Sequence, residues 1–186
     1  MTRPSRRSAG HAVRLRSAER AEAGKLLALI TANLAEGHLL PRTLEDLTAR
    51  AERFVVAIRG RKIVGCAELA PLSPMVAEIR SLAVDANARR AGVGAAIVSE
   101  LASRARRQGF EKLSAFTHAP GYFAPMGFSI VPHNWVLEKI TTDCVACPAF
   151  RSCGQYAMVH SLDASPALSR DARDGEASRV IPVSAV

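Results

Sequence analysis

No run in this sequence approaches the roughly 18 uninterrupted apolar residues that a spanning helix needs, so no membrane segment and no membrane partner is expected. No apolar core follows the arginines near the N-terminus, so no secretory signal is expected either, and the expectation is a cytoplasmic protein. Aromatic residues are scarce, at 5%, and no zinc-finger, helix-turn-helix or aromatic RNA-reading signature occurs. Acids are missing from the start of the chain: Arg3, Arg6, Arg7, Arg14 and Arg16 all precede the first one, Glu19. Those five charges are a large part of the net +8. A solvated tail is the plain reading of such an arm, although organelle transit peptides share its Arg- and Ser-rich, acid-poor composition. The remaining positive excess suits anionic small molecules, and no nucleic-acid partner is expected.

The 186 residues are 48% apolar and 23% charged, the balance of one ordinary globular domain. Residues 1–11 are expected to be a disordered basic arm, residues 12–162 the domain, and residues 163–186 a disordered tail without a sustained apolar period. Within the domain, "VRLR" (Val13–Arg16) reads as a strand. "EAGKLLALITANLAEG" reads as a helix, with Leu26, Leu27, Ile30 and Leu34 at helical spacing and Gly37 as its stop. "TLEDLTARAER" is a second helix, capped by Thr43, with Glu45 and Asp46 in its first turn. "FVVAI" and "IVGCAELA" form a hairpin around "RGRK", and "VAEIRSLAV" is the next strand.

"GVGAAIVSELASRARRQG" (Gly92–Gly109) is the strongest helix, with Ala95, Val98, Leu101, Ala102 and Ala105 on one face. "KLSAF", "GFSIV" and "YAMVHSL" supply further strands, and "PGYFAPM" at most a short helix, because Pro125 lacks an amide donor. The order is β-α-α-β-β-β-α-β-α-β-β. It mixes hairpins with one strand–loop–helix crossover and predicts an α+β fold with a mixed sheet rather than a doubly wound one.

The crossover loop "RRAGVG" opens the strong helix with bare backbone. A helix N-terminus presents unpaired N–H groups and partial positive charge; glycine lets an anion approach, and arginines add charge-assisted bonds. The loop therefore reads as a phosphate cradle, or more simply as a tight turn with a helix cap. A Walker loop would need Gly-Lys-Ser/Thr, and Ala95-Ala96 stand there instead. A dinucleotide fingerprint would need a small residue where Ile97 sits.

These residues resemble the GNAT superfamily of N-acyltransferases, whose hallmark Arg/Gln-x-x-Gly-x-Gly/Ala is matched by Arg89-x-x-Gly92-x-Gly94. "SLAVDANARRAGVGAAIV" around it and the terminal "YFAPMGF" strengthen the likeness, which extends over about residues 12–162. The resemblance implies a mostly antiparallel sheet flanked by about four helices. It also implies acetyl-CoA as co-substrate, with its pyrophosphate on Arg89, Arg90, Ala91, Gly92, Val93, Gly94 and Ala95. Its pantetheine arm would lie along Leu82, Ala83 and Val84. "LLPRTLEDL", "VGCAEL", "AEIRSLAV" and "CVACPAFRSCGQYAMV" look like the short stand-alone N-acetylglutamate synthases, which implies glutamate as acceptor at the entry to arginine synthesis. Other small amines, a protein N-terminus and a non-catalytic acyl-CoA-binding module are the alternatives. The resemblance also allows for a homodimer.

An amine must lose a proton before it attacks a thioester, and a nearby carboxylate is the usual base. Glu78 lies on the strand expected to line the cleft, and Arg80 shares its face by the two-residue period. The pair reads as base and carboxylate clamp, or as a plain cross-strand ion pair on an exposed face. Arg42 is a second clamp candidate, or a solvated loop arginine; a dicarboxylate asks for two cationic contacts. His118 precedes the short helix and either lines the cleft or caps that helix.

Many GNAT enzymes place a tyrosine acid four residues before the final Gly-Phe. Here that position is Phe123, with Tyr122 beside it and expected to aim elsewhere. Cys66 is expected to be a small buried hydrophobe. Cys144, Cys147 and Cys153 form C-x2-C-x5-C, open to three readings: a structural metal site, a disulfide or free thiols.

Overall fold

The computed structural model describes residues 13–35, 39–148 and 150–162. The basic arm 1–11, the tail 163–186 and the helix stop at Gly37 lie outside the described residues.

Strand β1 (Arg14–Ser17) leads through a single turn, Arg20–Glu22, into helix α1 (Ala23–Leu34). That turn is held by a capping box, in which the Glu19 N–H donates to the Glu22 carboxylate at 3.0 Å, and Arg16 grips the same carboxylate at 2.7 and 2.8 Å. Helix α2 (Leu44–Ala49) begins as its spacing predicts: the Thr43 hydroxyl accepts the Asp46 N–H at 3.1 Å. It ends four residues earlier than expected, at Ala49 with Arg50 as its C-cap, and Ala51–Arg53 tightens into a 3-10 turn before β2 (Phe54–Arg59). β3 (Lys62–Pro71) closes the hairpin, β4 (Val76–Val84) follows, and α3 (Val93–Arg107) is the long crossover helix. Then come β5 (Lys112–Thr117), the short α4 (Pro120–Phe123), β6 (Ser129–Val131), α5 (Leu137–Lys139) with a π-type turn over Ile140–Cys144, and β7 (Tyr156–Ser161).

These strands form one seven-stranded sheet in the order β1-β2-β3-β4-β5-β7-β6. Every pair is antiparallel except β4–β5, so the fold is the expected α+β class with a mixed, mostly antiparallel sheet. Both faces of its middle are covered. Phe54 to Ile58 and Ile63 to Ala70 are buried without alternation, because β2 and β3 carry helices above and below. Val55 and Ala57 pack toward α3, with Val93, Ile97 and Leu101. Phe54, Val56 and Cys66 pack toward α1 and α2, with Leu26, Ile30 and Leu47. Cys66 is the buried hydrophobe its strand predicts, and burial pushes its thiol up to about 12.

Two features of the middle strands open the sheet. β4 and β5 pair only from Val76 opposite Lys112 to Ile79 opposite Ala115, a stretch pinned by the buried Ser114 hydroxyl donating to the Ala77 carbonyl at 3.0 Å. Beyond it β5 continues against β7 and β4 against β3, so the parallel pair parts like a wedge. The second feature is a bulge. Between the pairs Cys66–Ala83 and Glu68–Arg80, β4 has one residue more than β3, and Ser81 takes a left-handed φ of 52°. The bulge reverses the alternation of β4. Ala77 and Ile79 pack on the α3 side before it, whereas Leu82 and Val84 do so after it, and Ala83 turns to the α1 side.

Candidate active site

The wedge between β4 and β5 is the floor of a cleft of about 870 Å³. At one end lies the loop that opens α3. Asp85 caps the turn Ala86–Ala88 by accepting the Asn87 N–H at 3.0 Å, and Arg90 (φ 59°) and Gly92 (φ 76°) reverse the chain in left-handed conformations. Gly92 is the helix N-cap and has no side chain to close it. The first intrahelical donor is the Ala96 N–H, on the Gly92 carbonyl at 2.9 Å. The amides before it are left for a guest. Arg89 does not fold over them: it donates to the Val84 carbonyl at 3.2 Å and to Asn33 on α1 at 2.6 Å, which fixes the loop against strand and helix.

Of the residues expected to hold the coenzyme, Leu82 and Val84 line the strand wall, and the loop from Arg89 to Ala95 lines the end, with Ala91 outside the lining. Ala83 is also outside it, because the bulge turns its side chain into the core beneath α1.

Tyr122 corrects one expectation. Rather than aiming elsewhere, it lines the cleft, and its hydroxyl lies 2.1 Å from where a Cβ on Gly94 would stand. Only glycine at 94 admits that approach. Burial raises the Tyr122 phenol above its ordinary pKa. Phe123, in the position of the family's tyrosine acid, is instead a core residue stacked edge-on against Phe128 at 5.3 Å.

At the other end stands an ionic cluster. Glu78 is 3% exposed. Its Oε2 accepts from Arg80 Nε at 2.6 Å and from Lys139 at 3.0 Å, and Lys139 also reaches Oε1 at 2.8 Å. Arg80 and Lys139 both continue to Asp143, the latter at 2.9 Å. Burial opposes the Arg80 charge, but Glu78, Asp143 and Glu68 outweigh it and hold its pKa above the ordinary value. Partial burial likewise opposes charge on Asp143, yet the bond from Lys139 and the fields of Arg80 and Arg50 hold its carboxyl below the ordinary range. Lys139 also lies 5.4 Å from the Phe116 ring centroid.

Arg42 lines the same end, and it is no solvated loop residue. Its Nε donates to Asp46 at 2.6 Å, both Nη atoms donate to Glu68 Oε2 at 2.9 Å, and Nη1 also donates to Ser81 at 3.1 Å. Glu68 is fully buried, and its Oε1 has no partner among the described residues. Of the five N–H donors on a guanidinium, Arg42 thus spends four internally and Arg80 two.

His118 is not brought into the cleft. Its neighbours Thr117 and Ala119 line it, while the His118 ring faces Gly154, because successive residues leaving β5 point to opposite sides. Cys144, Cys147 and Cys153 carry no disulfide, and among the described residues no three metal-binding side chains gather. They are spread over the π-type turn, the loop after it and the strands' approach beyond Phe150–Ser152.

Sequence reasoning missed Lys139 and Asp143. Their one local signal is the i,i+4 spacing of opposite charges in "LEKITTDC", which marks a helical turn. It does not say where that turn docks.

The acetyltransferase (GNAT) family model matches residues 24–128. An uncharacterised N-acetyltransferase of Chlorobaculum tepidum is 30% identical over 148 residues, 80% of this chain and 96% of that protein. The amino-acid acetyltransferase of Pseudomonas putida is 33% identical over 125 residues, and the match spans 63% of this chain but only 29% of that longer protein. Among solved structures, N-acetylglutamate synthase from Neisseria gonorrhoeae, complexed with coenzyme A and N-acetyl-glutamate, superposes with a TM-score of 0.74 at 25% identity, over 82% of this chain and 35% of that one. A Mycobacterium tuberculosis protein complexed with CoA shares the fold at a TM-score of 0.70 and 24% identity, over 80% and 98% of the two chains. No helix among the described residues is long and apolar enough to cross a membrane. A mixed sheet parted over a cleft, a bare helix N-terminus at one end and matches of this extent carry one conclusion: the chain belongs to the acetyltransferase (GNAT) family and is an acyltransferase.

Proposed function

We propose that this protein transfers the acetyl group of acetyl-CoA to the α-amine of an amino acid, with L-glutamate as the acceptor. The observation that carries the reading is one continuous cleft. It joins the uncapped amides at Gly92–Ala95 to the Glu78–Arg80–Lys139 cluster along the unpaired edge of β4. The coenzyme's pyrophosphate takes the amides at the helix start, where bare N–H groups and the helix dipole favour an anion. Its pantetheine arm takes the free edge of β4 as an added strand would. The thioester then falls near the wedge's apex, beside Glu78.

The acceptor arrives as an ammonium. Glu78 takes its proton, directly or through a water, and the freed nitrogen pair attacks the thioester carbon. The C–N bond forms, the oxyanion leans on a main-chain N–H of the open β4 edge, and the C–S bond then breaks. The attacking nitrogen still carries one surplus proton, which passes through water to the departing thiolate; with a thiol pKa of about 8.5 the coenzyme leaves without a residue assigned to protonate it. Arg80 holds an acceptor carboxylate, since three of its N–H donors remain available, whereas Arg42 braces the site through Asp46 and Glu68. The amino-acid acetyltransferases and the N-acetylglutamate synthase among the relatives support an amino-acid acceptor.

A thiol-release assay with acetyl-CoA and a panel of glutamate, glutamine and aspartate tests the reading. Turnover with glutamate above the other two is expected. Acetyl-CoA binding by calorimetry without transfer to any free amino acid would overturn it.

A further inference from the structure

We infer that Asp143 is a built-in stand-in for the acceptor's carboxylate, occupying Arg80 and Lys139 until an acceptor displaces it. The inference rests on the acceptor reading above and adds a device to it.

Charge balance is the first argument. Arg80 and Lys139 face Glu78 and Asp143, so the cluster is neutral as it stands. A dicarboxylic amino acid entering with its amine protonated carries one net negative charge and would find no net attraction there. With Asp143 swung out, Arg80, Lys139 and Glu78 sum to one positive charge and match it. Glu78 then keeps its place for the ammonium proton while the two cations meet the carboxylate.

Geometry is the second argument. Asp143 reaches the Arg80 Nη2 and the Lys139 Nζ with one oxygen, Oδ2, which is how a ligand carboxylate would bridge them. The Asp143 side chain is also 36% exposed at the cleft, against 4% for Glu78, so it is the member with room to leave.

Attachment is the third. From Leu137 to Tyr156 none of the described residues is buried, and Leu137 and Val145 are largely exposed. The turn bearing Asp143 is anchored by one buried side chain at its start, Val136, and beyond it is held to the sheet chiefly by these ion pairs, and segments of this kind sit at the low end of local stability.

The test is Asp143→Asn, which keeps the shape and removes the charge. The expected result is an acceptor KM for L-glutamate lowered about fivefold, the scale of one relieved partly exposed ion pair, with the KM for acetyl-CoA unchanged. Glutarate, which has both carboxylates and no amine, gives a binding readout independent of turnover: by calorimetry it should bind the variant more tightly than the native protein. Asp143→Ala and a thermal melt guard against a variant that has merely unfolded. Equal glutarate affinity in native and Asn proteins, or a glutamate KM that rises, overturns the stand-in while leaving the acceptor reading intact. If neither protein takes glutarate or glutamate while both still bind acetyl-CoA, the acceptor reading itself fails, and the stand-in with it.

Discussion

Glu78 and Arg80, two residues apart on β4, meet side chain to side chain: Arg80 Nε donates to Glu78 Oε2 at 2.6 Å inside the cleft, not on an exposed face. The pair is therefore ionic and positioned at once, and the contact joins two neighbours on one strand rather than bridging two strands. Lys139 answers this deeply placed carboxylate from the other side, at 2.8 Å.

Glu78→Gln should lower kcat by about 10²- to 10⁴-fold, the usual contribution of a positioned base, and leave the acetyl-CoA Kd unchanged. Steady-state kinetics with calorimetry checks this. Turnover within twofold of native, as an order of magnitude, would remove Glu78 from the chemistry.

Gly94→Ala should weaken acetyl-CoA binding about tenfold, because the new methyl collides with the Tyr122 hydroxyl and pushes that ring into the coenzyme's path. In a Tyr122→Phe background the nearest ring atom stands 3.3 Å away rather than 2.1 Å, so the double variant should bind better than Gly94→Ala alone. Titration calorimetry on the four proteins closes the cycle.

Arg42→Ala should destabilise the fold by about 3 kcal/mol in urea denaturation, since it leaves the fully buried Glu68 carboxylate unanswered. Arg42→Lys should recover only part of this. One ammonium cannot span Asp46, Glu68 and Ser81 together.

Glu22 gives a pH signature. The bond from Arg16 holds its carboxyl down at about 2, from an ordinary 4.5. A carboxylate with a depressed native pKa adds stability that is fully present above the unfolded value and is lost as pH falls through the folded one. Melting temperature should therefore drop between pH 4.5 and pH 2, and Glu22→Gln should flatten that drop. At pH 7 the variant should lose about 2 kcal/mol, less than the full shift implies, because solvent screens the Arg16 side of the pair.

The sequence by itself determined the strands and the longer helices, though not the turns between His133 and Ser152, and it pointed to the two ends of the cleft. Apolar periods located α1, α3 and the strands of the hairpin, Thr43 marked the start of α2, and Gly92 and Gly94 announced the bare helix N-terminus. Those signals are contiguous, so they can be read along the chain. Tertiary structure alone decided the rest. A strict two-residue period puts Glu78, Arg80, Leu82 and Val84 on one face, and the bulge at Ser81, where no glycine gives warning, sends the last two to the other. Tyr122 and Gly94 are fitted to each other across a helix gap, and Arg42 is claimed by Glu68, 26 positions away. Lys139 reaches Glu78 over 61 positions and Asp143 reaches Arg80 over 63. Ion pairs between exposed turns and a distant strand leave no periodic trace in a sequence, because either partner alone looks like any solvated charge.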